Sequence, residues 1–145
     1  MVYFNFEEQG EAVAFLADAL NSLLQRESQA TVALVAKNKD VAQRYYESLK
    51  HANVPKLHLV RQQDFNFKPG IEICDVFQIK GLEYDYIIAL ETTAQEYTSS
   101  RNDRHLLHVV ATRAIHQLWL ISSSKPSPIL PQKLVETGLL DLSLE

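Results

Sequence analysis

Between Ile71 and Glu91 the chain holds two apolar, strand-like runs, Ile71–Phe77 and Tyr86–Leu90, on either side of a polar knot. The knot reads Gln78-Ile79-Lys80-Gly81-Leu82-Glu83-Tyr84-Asp85. Two buried strands need only a turn between them, and a turn does not call for Lys, Gly, Glu and Asp so close together. Glycine permits backbone angles closed to other residues and lets another group come near. The flanking Lys80 and Glu83 offer a cation and an acceptor at one edge of a sheet. On this stretch alone, a plain loop of solvated charges is the better account of the pattern.

The rest of the chain repeats the theme of short apolar strands set between helices. Thr31–Ala36 is Thr-Val-Ala-Leu-Val-Ala, a continuous apolar run that suits a strand buried on both faces of a parallel sheet. Asn38 follows as a candidate helix N-cap, and Val41, Tyr45, Leu49 and Ala52 mark the buried side of a helix ending near His51, before Pro55. Upstream, Val2–Phe6 reads as a short strand. Glu7–Glu27 reads as a helix with Val13, Leu16, Ala17, Leu20, Leu23 and Leu24 on one face. Leu57–Val60 is a further short strand, and Arg61–Gly70 a polar and aromatic loop. The Thr-, Ser-, Gln- and Asn-rich stretch Thr92–Asn102 reads as a mobile loop. Asp103–His116 follows as a helix, Gln117–Ser122 as a strand, 122–131 as a linker, and Ile129–Leu140 as a short helix stopped at Gly138. Strands alternating with helices predict a three-layer α/β domain with a mainly parallel sheet. Ligands of such sheets sit beyond the carboxyl ends of the strands. Lys37, Lys80 and Glu83 each follow an apolar run and are expected to share that edge.

Composition narrows the partners. The 145 residues are 46% hydrophobic and 22% charged, within the range of one ordinary globular domain. The net charge of −4 lacks the basic excess of a stand-alone nucleic-acid binder, so any such contact is local or shared with another domain. Cys74, the single cysteine, sits in an apolar run as a small hydrophobe, makes no internal disulfide and fits a reducing compartment. No apolar stretch is long enough to span a bilayer, and the N-terminal residues lack the pattern of a signal peptide. The expectation is a cytoplasmic protein with no membrane contact.

Two observations bear on chemistry. None of the four glycines, Gly10, Gly70, Gly81 and Gly138, is followed by Lys, so the chain has no phosphate-cradling P-loop. The second is the helical run from Asp103 to Ala114, with an apolar stripe of Leu106, Val109, Val110 and Ala114. Arg113 lies close to that stripe near the helix end. From the helix alone, its fit to the helix dipole accounts for it better than the alternative, an arginine offered from a firm helix to a phosphate. His105 and His108 share a face, but no Cys or Glu completes a zinc set. No Ser-His-Asp arrangement is present.

Taken together, two segments resemble a known family. Lys80-Gly81-Leu82-Glu83-Tyr84-Asp85 resembles motif V of the UvrD/Rep-like superfamily 1 helicases, Lys-Gly-Leu-Glu-Phe-Asp before a strand. The run from Arg104 to Ala114 resembles motif VI, Arg-Arg-Leu, then Tyr-Val, then Thr-Arg-Ala. Val32–Pro55 is similar to the strand and helix that open the same domain. The resemblance implies the second RecA-like domain, often labelled 2A, of an ATP-dependent DNA helicase or translocase such as serves DNA repair. The domain would span 1–145, with a core over about 30–122 and a linker and terminal helix over 123–145. ATP and Mg2+ would be bound only in the full-length protein, in a cleft shared with an N-terminal P-loop domain, 1A. This chain alone would be inactive.

By the same resemblance, Arg113 would be a catalytic arginine finger on the γ-phosphate. Gly81, Glu83 and Thr112 would join it in contacting the nucleotide, Glu83 at the ribose and Gly81 by allowing close approach. Lys37, Asn38, Phe77, Gln78 and Lys80 would lie near a single-stranded DNA track. No metal ligand is implied. The chain departs from the pattern at several positions. Phe77-Gln78-Ile79 stands where members often carry a His-Lys-Ser type run, and His108 replaces the motif VI tyrosine. Ala36-Lys37 replaces an expected arginine, and the upstream Asn-Tyr-Arg-Ser segment is missing. Between Pro55 and Gly70 there is no room for the large 2B insertion. These departures and the acidic balance support an alternative, a non-catalytic helicase-like interaction module.

Overall fold

The solidly apolar run Thr31–Ala36 lies inside a sheet, paired on both sides, as its composition requires. In the computed structural model, which describes residues 1–66 and 68–139, the elements in chain order are β1 (Val2–Asn5), α1 (Gln9–Arg26), β2 (Thr31–Ala36), α2 (Lys39–His51), β3 (Leu57–Leu59), β4 (Gly70–Asp75), β5 (Tyr84–Ala89), α3 (Arg101–Ala111), β6 (Ala114–Ser122) and α4 (Gln132–Thr137). The six strands run parallel in the order β1-β6-β5-β2-β4-β3. The expected three-layer α/β architecture is present, and the sheet is parallel throughout rather than mainly so.

Alternation along β2 splits the core. Val32, Leu34 and Ala36 face a cluster with Leu16, Leu20 and Leu23 of α1 and Tyr45 and Leu49 of α2. Ala33 and Val35 face the opposite cluster, with Leu106 and Val110 of α3 and Leu134 of α4. Cys74 is fully buried in this second cluster, as expected of a small hydrophobe. Because β1 pairs with β6 and α1 packs on the first cluster, the packed unit reaches well beyond residues 30–122.

Three local readings change. The helix expected over Asp103–His116 ends at Ala111, with Thr112 as its C-cap, and Ala114–His116 belongs to β6. Pairing decides this: Tyr84 of β5 faces Ala114, so the sheet claims residues that helical periodicity also fits. The stretch Thr92–Asn102 is anchored rather than mobile. Tyr97 is 0% exposed, Thr93 bridges to Pro126, and Ser127 donates to the Tyr97 carbonyl at 2.6 Å. The terminal helix begins only at Gln132 and stops at Gly138, which takes a left-handed φ of 77°. The expected helical end at Leu140 lies outside the described residues. Asn38 caps α2 as expected, its Oδ1 accepting from the Val41 amide at 3.0 Å. Among the described residues no helix is long and apolar enough to cross a membrane.

Candidate functional site

Because all strands run the same way, the sheet has one amino edge and one carboxyl edge, and the candidate residues divide between them. Glu83 immediately precedes β5 and Arg113 immediately precedes β6. These strands are neighbours, with Tyr84 opposite Ala114 and the Tyr84 amide donating to the Arg113 carbonyl at 2.9 Å. Glu83 and Arg113 therefore stand side by side at the amino edge, together with Thr112. The Arg113 guanidinium rests on the end of α3. Its Nε donates to the Val109 carbonyl and its Nη2 to Thr112 Oγ1, both at 3.3 Å. No carboxylate of the described residues pairs with it. A half-buried cation steadied only by neutral oxygens keeps its charge available for an anion. Thr112 Oγ1 in turn donates to the Val109 carbonyl at 2.9 Å, so it positions the arginine.

Gly81 sits in the connection between β4 and β5 with φ +78°, and an added Cβ would meet nothing within 4 Å. Its glycine is required by the backbone and not by any crowding within this chain. Gly81→Ala is thus expected to cost about 1–2 kcal/mol through the left-handed angle alone, read from urea denaturation. Lys80, Gly81 and Glu83 are all exposed.

The carboxyl edge holds Lys37, Asn38, Phe77 and Gln78. Lys37 and Glu83 do not share an edge, because Lys37 follows β2 whereas Glu83 precedes β5. Lys37 is committed to the fold: its Nζ pairs with Asp103 Oδ1 at 2.8 Å and donates to the Glu96 carbonyl. Asp103 is 5% exposed. Burial would raise its carboxyl, but the Lys37 ammonium and the Thr98 hydroxyl and amide outweigh that and hold it at about 2. Asn38 Nδ2 donates to Glu96 Oε2 at 3.0 Å. Gln78 Nε2 donates to the buried Asp75 at 2.7 Å, and its Oε1 accepts from the Gln63 amide at 3.2 Å. Phe77 is 60% exposed beside them, on a cleft of about 420 Å³ lined also by Lys39 and Gln62.

Glu72 and Glu91 escaped the sequence reading, and Asp85 was read only as the end of the Lys80–Asp85 segment. Asp85 Oδ2 accepts from the Thr31 amide while Thr31 Oγ1 accepts from the Asp85 amide, both at 3.0 Å, so the last residue of the Lys80–Asp85 segment stitches β5 to β2. Glu72, buried in β4, accepts from the Tyr84 hydroxyl and the Asn66 amide, each at 2.5 Å. Glu91 follows β5 with φ 53°, buried, and accepts from the Tyr45 hydroxyl and Ser123 Oγ, each at 2.7 Å. Burial, reinforced by Glu91, pushes the Tyr45 phenol far above its usual value, so it stays a donor. The only local signal for Glu72 and Glu91 was their place inside or at the end of apolar runs. Among the described residues no group of three or more His, Cys, Asp or Glu side chains could hold a metal ion.

Residues 70–121 match the family model of the UvrD-like helicase C-terminal domain, a span that contains both motif-like segments. The resemblance read from Lys80–Asp85 and Arg104–Ala114 is therefore shown over this part of the chain. Among solved structures, the C-terminal domain of a possible DNA helicase from Lactobacillus plantarum WCFS1 superposes with a TM-score of 0.76 at 24% identity, covering 88% of this chain and 76% of that one. At that identity the likeness shows the fold, in keeping with a RecA-like domain. No curated protein matches the chain in sequence.

Proposed function

We propose, from the match of residues 70–121 to the UvrD-like helicase C-terminal domain, that this chain is one half of an ATP-driven motor on DNA. Its partner is an N-terminal domain carrying the P-loop and the Mg2+ ligands, which this sequence lacks. The observation that carries the reading is the adjacency of Glu83 and Arg113 at the amino edge, fixed by the bond between the Tyr84 amide and the Arg113 carbonyl. The residues fit a nucleotide: an arginine that pairs with no carboxylate among the described residues, an exposed glutamate at the start of the neighbouring strand, and open space around Gly81. Arg113 holds positive charge where the γ-phosphate would lie, and Glu83 accepts hydrogen bonds from the ribose. Bound ATP supplies the phosphoryl group and the driving force; this chain's part is to orient it and neutralise charge. Thr112 keeps the guanidinium aimed. On the opposite edge, the exposed Phe77 stacks on a base of a single strand.

Joined to its P-loop domain, the protein is expected to hydrolyse ATP with stimulation by single-stranded DNA, and this chain alone is expected not to. In the joined protein, Glu83→Ala should raise the KM for ATP about tenfold with a smaller change in kcat, consistent with loss of ground-state binding. Unaltered kinetics in that variant would remove Glu83 from the site.

One observation favours the second reading, a non-catalytic interaction module. Lys37, Asn38 and Gln78, three of the residues expected at DNA, are already engaged by Asp103, Glu96 and Asp75. No DNA-stimulated hydrolysis in the joined protein, with both domains folded, decides for this reading.

A further inference from the structure

A basic stripe runs along the outer face of α3. Arg101, Arg104, His105 and His108 are all exposed and recur at spacings of three and four, which puts them on one side of the helix. None of the four has a carboxylate of the described residues within ion-pair distance. Yet the chain carries a net charge of −4. The acids lie elsewhere: Glu7, Glu8, Glu11, Asp18 and Glu27 are exposed on and around α1, against the opposite face of the sheet. Arg101 and Arg104 thus give this face a local positive charge on an acidic protein.

Beside the stripe lies an apolar groove of about 330 Å³ between α3 and the segment leading into α4. Leu107, Leu120, Ile129 and Leu130 line it, and Arg104 and His108 belong to both groove and stripe. Its lining has aliphatic side chains and no Phe, Tyr or Trp. A nucleic acid held by cations without an aromatic platform would gain nothing from this apolar floor. A peptide that joins aliphatic side chains to carboxylates would use both features.

We infer that this face docks an acidic amphipathic helix of a partner protein, with aliphatic side chains in the groove and carboxylates along the stripe. The stripe's three-and-four spacing is the spacing at which such a helix presents its own acids, and helix-in-groove recognition reads anchors in that way. The aliphatic anchors supply affinity, while the charges set orientation and on-rate. The inference does not depend on ATP chemistry, since neither Glu83 nor Arg113 lines the groove or belongs to the stripe.

The test is fluorescence anisotropy with a fluorescein-labelled helical peptide bearing leucine at every third or fourth position and glutamate or aspartate between. Binding of micromolar order is expected, weakened at least tenfold in the Arg104→Glu, His108→Glu double variant and by a rise in salt from about 50 to 500 mM. Both side chains are exposed, so an unchanged Tm verifies that the variant is folded. A control peptide with lysine for every acid should not bind. The proposal is overturned if the lysine peptide binds equally, or if the double variant binds as the parent does. It is overturned too if a single-stranded oligonucleotide displaces the peptide, which would make the face a nucleic-acid surface. Peptide binding seen only after removal of residues 140–145 would assign the groove to the chain's own end. A dimer that forms through Arg104 and His108 without binding peptide would assign it to a second copy.

Discussion

In the protein joined to its P-loop domain, Arg113→Ala should lower kcat for ATP hydrolysis by about 10³-fold or more while leaving ATP binding within a few-fold. The size follows from the role proposed for the side chain. Charge accumulates on the transferred phosphoryl oxygens in the transition state, and a preorganised guanidinium is worth most where water is excluded. A 10³-fold loss corresponds to about 4 kcal/mol of transition-state stabilisation. Here the preorganisation is visible, because Nε and Nη2 are already held by the Val109 carbonyl and Thr112. Arg113→Lys should rescue little, since an ammonium keeps the charge but loses the planar fork. Single-turnover hydrolysis measured alongside nucleotide affinity separates the two effects. Turnover near the parent's in Arg113→Ala would end the arginine-finger reading.

The second large effect is on stability. Asp103 collects the Lys37 ammonium, the Thr98 amide and the Thr98 hydroxyl, and its own amide donates to Ser100, the cap of α3. Asp103→Ala leaves the Lys37 ammonium without its carboxylate and is expected to cost about 3 kcal/mol, measured by urea denaturation at neutral pH. The pH dependence carries a definite sign. The carboxyl lies at about 2 in the folded protein against 3.8 ordinarily. Its contribution is therefore complete above about pH 4 and is lost as the pH falls through 2. Asp103→Asn should flatten the stability profile in that window. Lys37→Met should move the loss to higher pH, because burial then acts on the carboxyl with less to oppose it. An acid profile unchanged in both variants would remove the Lys37–Asp103 pair from the account.

Much of the fold could be read because the apolar runs were short and the helical stripes regular. Thr31–Ala36 announced a buried strand, and Asn38 announced the start of α2. The same periodicity carried α3 too far, because Ala114 fits both a helical stripe and a strand, and only pairing with Tyr84 chooses between them. The site was legible as two segments but not as an arrangement. Which edge each residue occupies depends on strand direction and order, and no local pattern encodes either. Lys37 looked like a free cation because its partner, Asp103, lies on a distant helix. The polar stretch Thr92–Asn102 looked loose because composition counts its many Thr and Ser residues equally with the one tyrosine that anchors it.

The Lys37–Asp103 pair has a mechanical meaning as well. It fastens the start of α3 to the end of a central strand, while Arg113 lies just past the other end of that helix. With its 11 residues, α3 is a rod about 16 Å long. One end is pinned beside Phe77's edge and the other carries the guanidinium. A single short helix therefore spans from the pinned edge to the edge that carries the arginine.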